Sequence, residues 1–530
     1  MSNYKEFEPK FTSFHDLMKF RVREILLVST PYDSFVLEED GSLSDKIFSE
    51  YLDLNLQFVP RIAHAASAEE AFEAMRNRTY DLVITMPRIS GMDTLEFSRK
   101  VKELYPEKPI VMLTYETLDD DMLREIRESK SIDRVFVWSG NSQILLAIIK
   151  YVEDRGNVEE DSKQGVQVIL VVDDSPAYYS QFLPLIYTEI MKQTRYLISH
   201  AVNDLHRLLR MRARPKILLA ISYEEALEIV EKYKNNLLGI ISDIRFLKDG
   251  AVSAEAGLEL AVKVREMVPD LPILLQSEES QNKEKVEKLK LRYLDKNSTI
   301  LLKKLRCYIM DNYSFGEFVF KTPRGETISM ASDISDFERA IKILPEESLA
   351  YHAARYDFSR WFRASTEFEV AEEMRNREAG ASENIAEFRE YMIDCMDRYF
   401  RRYQRGLIVD FGYSKLNFEN SFTRLGSGSL GGKARSVAFF RSLIANSGIQ
   451  TKYEGVRFKI PISFAICSGV FEDFMHNNDL QEMAVRSDDE HEIARRFLEA
   501  ELPEAITADL RMLVSEIDYP LAVRSSSILE

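Results

Sequence analysis

The chain has 530 residues, 45% of them hydrophobic and 30% charged, the composition of a soluble globular protein with room for three or four domains. Its 70 basic and 87 acidic side chains leave a net charge of -17 and no basic face, which excludes a nucleic-acid partner. No apolar run reaches the ~20 residues of a membrane span, and Cys307, Cys395 and Cys467 are too scattered for a disulfide framework or a metal site, so a cytoplasmic protein with no membrane partner is expected.

The first unit, residues 1–155, alternates apolar strands with amphipathic helices, the pattern of parallel α/β units. Its strands are REILLVS (Arg23 to Ser29), YDLVITM (Tyr80 to Met86), PIVMLT (Pro109 to Thr114) and VFV before Trp138. They run into Ser29-Thr30, Met86, Thr114 and Trp138, so their ends carry hydroxyls but no acids. The charged run EDRGNVEED (Glu153 to Asp161) and SKQGVQ after it mark the first boundary.

The second unit, residues 163–313, repeats the pattern with chemistry at the strand ends. VQVILVV (Val166 to Val172) is a run suited to burial on both faces, and it ends in Asp173-Asp174. LLGIISD ends in Asp243, LPILLQS in Ser277 and RYLDK in Lys296. More chain separates Pro176 from the next strand, KILLAIS, than one ordinary helix needs, which predicts an extended helix or helical insertion. Inside it, the basic run RLLRMRARPK (Arg207 to Lys216) reads as the solvated end of a helix.

In an open parallel sheet the carboxyl ends of the strands gather at one edge, where ligands bind. Three carboxylates, a hydroxyl and an ammonium then meet. Asp173, Asp174 and Asp243 suit Mg2+, a hard cation. Asp243 can attack phosphorus as a carboxylate nucleophile, Lys296 can neutralise phosphoryl oxygens, and Ser277 can hydrogen-bond the new phosphoryl group. The alternative is a flavodoxin-like domain with acids at its strand ends by chance. The set resembles that of response-regulator receiver domains. The resemblance implies Asp243 as phosphoacceptor, Tyr293 as a switching aromatic, and a sensor histidine kinase or small phosphodonor as partner. The first unit then resembles a pseudo-receiver: the SGMD turn (Ser90 to Asp93) is similar to the loop after a phosphoacceptor, and counting back puts Met86 in the aspartate's place.

Residues 314–420 read as a hairpin-plus-helical connector. FGEFVFKTPRGETISM predicts a β-hairpin about Pro323, Arg324 and Gly325, and the aromatic-rich stretch to Arg375 predicts helices. His352, Trp361 and Arg363 there are assigned to an aromatic seam between helices rather than to a site.

Residues 421–530 hold GSGSLGGKARS (Gly426 to Ser436). As a dinucleotide fingerprint it lacks a preceding apolar strand, since NFENSFTR is polar and broken. As a Walker loop it has Ser427 for a glycine and Ala434 for a hydroxyl. What remains is a glycine loop opening the helix KARSVAFFRSLIANS, an anion site to which Lys433 adds charge. A strand-turn-helix from Phe458 to Met475 follows, and PLAVRSSSILE (Pro520 to Glu530) reads as a strand ending in Arg524 and serines. Together they resemble the N-terminal nucleotide-binding domain of phosphoenolpyruvate synthase and pyruvate phosphate dikinase, an ATP-grasp fold. The resemblance implies ATP contacts from Gly431, Gly432, Lys433, Arg524 and Ser525. Ala434, Ser463, Ile528 and Leu529 depart from that family's pattern.

The expected fold is therefore α/β: two flavodoxin-like doubly wound receiver domains, a hairpin-plus-helical connector and the N-terminal part of an ATP-grasp domain. The expected function is a two-component phosphoacceptor regulating a phosphoenolpyruvate synthase-like phosphotransferase, which passes phosphate from ATP through a carrier histidine to pyruvate. Because the acids of the second ATP-grasp subdomain and the histidine domain do not follow, the chain reads as part of a longer protein. The alternative is a non-catalytic signalling scaffold with a vestigial nucleotide-binding domain. The oligomeric state stays open, with a homodimer as one option.

Overall fold

Two sets of apolar runs, buried on both faces, set up two parallel sheets of the same winding. The computed structural model describes residues 17–39, 59–115, 118–199, 210–378, 380–381, 384–404, 408–411, 422–446, 461–487, 489–517 and 520–526. The chain divides into two compact units, one of residues 1–200, 208–318 and 351–382, the other of 201–207, 319–350 and 383–530.

In the first unit, the leading domain is built from β1 (Glu24–Val28), α1 (Pro31–Glu39), β2 (Arg61–Ala65), α2 (Ala68–Asn77), β3 (Leu82–Thr85), α3 (Thr94–Leu104), β4 (Ile110–Thr114), α4 (Asp120–Ser129), β5 (Arg134–Val137) and α5 (Gln143–Lys163). Short polar residues start its helices: Ser67 accepts from the Glu70 amide, and Asp93 of the SGMD turn from those of Leu95 and Glu96. The sheet order is β2-β1-β3-β4-β5, all parallel.

The second domain follows with β6 (Val168–Val172), α6 (Pro176–Ser199), β7 (Lys216–Ala220), α7 (Tyr223–Tyr233), β8 (Leu237–Asp243), a small hairpin of β9 (Phe246–Lys248) and β10 (Ala251–Ser253), α8 (Ala256–Met267), β11 (Ile273–Ser277), α9 (Asn282–Lys288), β12 (Arg292–Asp295) and α10 (Leu301–Asn312). Its order, β7-β6-β8-β11-β12, repeats the first. Both are doubly wound and flavodoxin-like. The long first helix expected after Pro176 is present as the 24 residues of α6.

One apolar core serves both sheets. It joins Leu27, Val111 and Phe136 of the first domain to Ile169, Val171 and Leu274 of the second. Between them lie α5 and α6, with Phe136 edge-on to Tyr179 at 5.6 Å. Two sequence expectations are corrected here. The charged run Glu153 to Asp161, expected to mark the first boundary, lies inside a helix that ends at Lys163, and it buries Glu153, Asp154, Asn157 and Asp161. The described part of the basic run, from Arg210 on, does not end in solvent: Arg210, Arg214 and Lys216 are buried too. The two runs neutralise each other, Arg214 pairing with Asp154 at 2.7 Å and Lys216 with Asp161 at 2.8 Å, while Arg210 pairs with Glu367 at 3.1 Å. A buried charge persists only when paired.

Also in this unit, α13 (Asp357–Ala364) packs on α14 (Phe368–Glu378); before them in chain order come α11 (Ile334–Ile343), which belongs to the second unit, and α12 (Glu346–Ala353), whose first residues do. The aromatics form the expected seam: Phe318 stacks on Phe358 at 5.3 Å and lies edge-on to Trp361, whose indole donates to the Gly316 carbonyl. His352 Nδ1 lies 2.8 Å from Asp357, and Arg363 pairs with Glu372.

In the second unit, β13 (Phe318–Lys321) and β14 (Thr327–Ala331) make the expected hairpin. After α15 (Ile385–Gln404), the strands β15 (Ile408–Asp410), β16 (Phe422–Leu425) and β17 (Ser463–Ile466) pair in parallel in that order. Helix α16 (Gly432–Asn446) follows β16, and α17 (Ser468–Asn477), α18 (Leu480–Arg486), α19 (Glu490–Glu499) and α20 (Glu504–Glu516) follow β17. Two more corrections fall here. A strand, β16, does precede the glycine loop; it is short and holds Thr423 and Arg424, which hid it. Residues 520–526 form no strand but an exposed coil, with no strand pairing among the described residues, and 527–530 lie outside those. Among the described residues no helix is long and apolar enough to cross a membrane.

Candidate functional site

The register of the second sheet delivers five side chains to one edge. Val172 pairs with Ser242, so Asp173 and Asp174 emerge beside Asp243; Gln276 pairs with Asp243 and Ser277 with Asp295, so Ser277 and Lys296 follow on the next strands. Carboxylate oxygens of Asp173, Asp174 and Asp243 lie within 4.8 Å of one another. The Lys296 ammonium donates to Asp173 at 2.8 Å and to Asp243 at 2.6 Å.

Gly257 permits this packing. A Cβ there would stand 2.1 Å from the Asp243 carbonyl oxygen, so α8 can close against the strand end only through glycine.

The charges strain against burial. Desolvation, with Asp243 adding to it against the pull of Lys296, pushes Asp173 up to about 7. Burial and Asp243 push Asp174 up to about 6, against Arg127 from α4 of the first domain. Burial opposes the charge on Lys296, but Asp173 and Asp243 outweigh it and hold the ammonium above its ordinary value. Fully ionised, three carboxylates face one ammonium, an excess that a divalent cation would match.

Ser277 is buried, its hydroxyl accepting from the Glu279 amide at 3.0 Å and from Asn282 at 3.0 Å. Tyr293 is half-buried, and its hydroxyl donates to the carbonyls of Ser277 and Glu279 at 3.3 and 3.1 Å. Sequence reasoning did not single out Tyr178, whose ring centroid lies 4.0 Å from the Lys296 ammonium. Nor did it find the β9–β10 hairpin directly after Asp243. The Asp249-Gly250 pair at its tip, with φ of 51° and 78°, was the available signal.

The first sheet puts different residues at the same places. Ser29 donates its amide to Ala65 as Asp173 does to Ala220, and Trp138 to Thr114 as Lys296 does to Ser277. Met86 follows Thr85, the partner of Val28, just as Asp243 follows Ser242. Met86 and Trp138 are buried, and Ser29 bonds His64 at 2.9 Å. A thioether and an indole can neither take a phosphoryl group nor hold a hard cation.

In the second unit, the three motifs of the glycine region meet. The would-be Cβ of Gly431 lies 2.1 Å from the Ser526 carbonyl oxygen, and Ser526 Oγ accepts from the Ala434 amide at 3.1 Å, capping α16. Gly469, just past β17, donates to Ser427 at 3.0 Å. Gly432 and Lys433 stand in the first turn of α16, and Lys433, Arg524 and Ser525 are exposed.

The family model of the response regulator receiver domain matches residues 36–135, in the first domain. No curated protein matches the chain. Among solved structures, the chain is similar to the chemotaxis response regulator CheY4 of Vibrio cholerae (22% identity over 25% of this chain and 98% of that one, TM-score 0.19). It is also similar to the signal receiver domain of an HD domain-containing protein from Pseudomonas fluorescens Pf-5 (20% identity, 27% and 94%, TM-score 0.20). A third is the receiver domain of a sensor histidine kinase from Pseudomonas aeruginosa PAO1, with magnesium in its active-site cleft (20% identity, 25% and 98%, TM-score 0.20). The family match thus falls on the domain whose strand ends carry Met86 and Trp138.

Proposed function

We propose that residues 163–313 are a magnesium-dependent phosphoacceptor domain of a two-component system, with Asp243 as nucleophile. The carrying observation is the Lys296 ammonium between Asp173 and Asp243, with Asp174 beside them. Asp173, Asp174 and Asp243 would hold Mg2+, which when bound offsets the acids and the phosphoryl oxygens. Asp243 attacks the phosphorus of a phosphohistidine or acyl phosphate, Lys296 faces the charge on the transferred group, and the Ser277 hydroxyl turns to donate to it. Tyr293, bonded to the backbone on either side of Glu278, senses where Ser277 stands. The receiver match supports a phosphodonor such as a sensor histidine kinase. Wild-type protein with Mg2+ and acetyl phosphate is expected to take up label that Asp243→Asn does not; equal labelling of the variant refutes the assignment.

For residues 421–530 the same proposal assigns the nucleotide-binding part of a phosphoenolpyruvate synthase-like phosphotransferase, regulated by the phosphoacceptor. ATP is then held by Gly431, Gly432, Lys433, Arg524 and Ser525, and phosphate passes through a carrier histidine to pyruvate in the whole protein. The convergence of Gly431 and Ser526 supports this. One observation favours the scaffold reading: the space that Gly431 leaves open is filled by the chain's own Ser526. Calorimetry with Mg-ATP on this chain and on the whole protein decides between them: binding by the whole protein that is lost in Lys433→Ala and Arg524→Ala supports the enzyme, and no binding by either supports the scaffold.

A further inference from the structure

One side chain touches the acid pocket without a part in the chemistry above. Tyr178 stands in the first turn of α6, four residues after Asp174, its ring against the Lys296 ammonium. Its hydroxyl donates to the carboxylate of Glu278, the residue after Ser277. The Glu278 carbonyl accepts from Asn297, the residue after Lys296, at 2.7 Å. Buried Phe182, one helical turn further along α6, stacks against the Tyr178 ring at 6.0 Å and 25°. The ring is thus fixed by its helix, by Phe182 and by a hydroxyl latch. An aromatic face attracts a cation more strongly as water is removed, and the Lys296 side chain is 1% exposed.

We propose that Tyr178 is a positioning residue for phosphoryl transfer: its ring holds the Lys296 ammonium on Asp173 and Asp243, and its latch to Glu278 roofs the lysine side of the pocket against water. The inference rests on reading Asp243 as the phosphoacceptor. In loading, an Asp243 oxygen bonds to the phosphorus of an acyl phosphate, and the bond to the carboxylate leaving group breaks, that group keeping the electron pair. In loss, water attacks the phosphorus and the bond to Asp243 breaks, its electron pair returning to the carboxylate. The proton of the attacking water goes to the released phosphate or to solvent. A misplaced lysine slows the first step. An open roof speeds the second.

A tyrosine hydroxyl is a donor at neutral pH, and burial, with Glu278 adding to it, pushes that of Tyr178 further up, to about 12.

The test compares wild type, Tyr178→Leu and Tyr178→Phe in the full chain, loaded with radiolabelled acetyl phosphate and Mg2+ and then chased. With the ring gone, Tyr178→Leu is expected to load about tenfold more slowly and to lose phosphate about tenfold faster. Tyr178→Phe keeps the ring, so loading returns to the wild-type rate, while the missing latch leaves loss fast. Mg2+ affinity stays unchanged in both. Wild-type kinetics in Tyr178→Leu, or loading in Tyr178→Phe as slow as in Tyr178→Leu, overturns the inference while the phosphoacceptor reading stands. A wild type that takes no label overturns both.

Discussion

Asp154 and Arg214 lie 60 residues apart in the chain, yet their charged groups meet at 2.7 Å with almost no exposure to solvent. The same carboxylate accepts from the Tyr187 hydroxyl at 3.0 Å and from the Ile217 amide at 2.9 Å, so the last helix of one domain is wired to the edge strand of the next. Arg134 adds a second tie, donating to the Leu219 carbonyl and pairing with Glu225.

Removing one member of this pair strands the other. Arg214→Met is expected to cost about 3–5 kcal/mol of unfolding free energy, because Asp154 is left buried without its counter-charge. The double variant with Asp154→Leu should recover part of that loss. Urea titrations of the two proteins check both values, and an additive double variant contradicts the coupling.

Glu378 predicts a pH effect on stability. Burial pushes its carboxyl up to about 7, and although Oε1 accepts from the Phe358 and Ser359 amides, Oε2 is buried without a partner. A folded value raised above the unfolded one means that the folded chain holds the extra proton between roughly pH 4.5 and 7. Stability from this group is therefore full below that window and falls as pH rises through it. Glu378→Gln should flatten the decline of the melting temperature between pH 5 and 8; an unchanged slope contradicts the assignment.

Lys296→Met separates the lysine's two roles. Without the ammonium, Asp173 and Asp243 lose the charge that bridges them and Asp174 keeps only the pull of Arg127, so Mg2+ affinity should hold or rise. Loading of Asp243 should nonetheless fall by about two orders of magnitude, since charge on the phosphoryl oxygens loses its partner. Calorimetry and acetyl phosphate labelling read the two effects; loss of Mg2+ binding would reverse the assignment.

The first domain supplies a negative prediction. Met86→Asp restores a carboxylate at the nucleophile's place, but Ser29, Thr30 and Trp138 still supply neither acids nor an ammonium. In an Asp243→Asn background this variant should take no label from acetyl phosphate. Labelling would show that the pocket needs only its nucleophile.

Strand ends were the legible part of this sequence. Parallel strands buried on both faces write themselves as apolar runs, and whatever ends them lands on one edge, so Asp173, Asp174, Asp243, Ser277 and Lys296 came together as expected. The same counting put Ser29, Met86, Thr114 and Trp138 in matching places. What could not be read depends on contacts between distant stretches. The acids of α5 and the arginines before β7 each look like solvent-facing charge until they are paired. Tyr178 looks like any helix aromatic, because its place over Lys296 depends on how α6 leaves the sheet. Strand β16 escaped notice because four residues are too few to show a period and two of them are polar.

The unbroken course of α5 sets a practical limit on dissecting this protein. Its 21 residues close one sheet and wall the other, so no cut within them frees a self-sufficient piece. Severed there, each half would carry a raw face of isoleucines and unpartnered acids into water, and insolubility should follow. Study of the second domain in isolation must therefore take the first along.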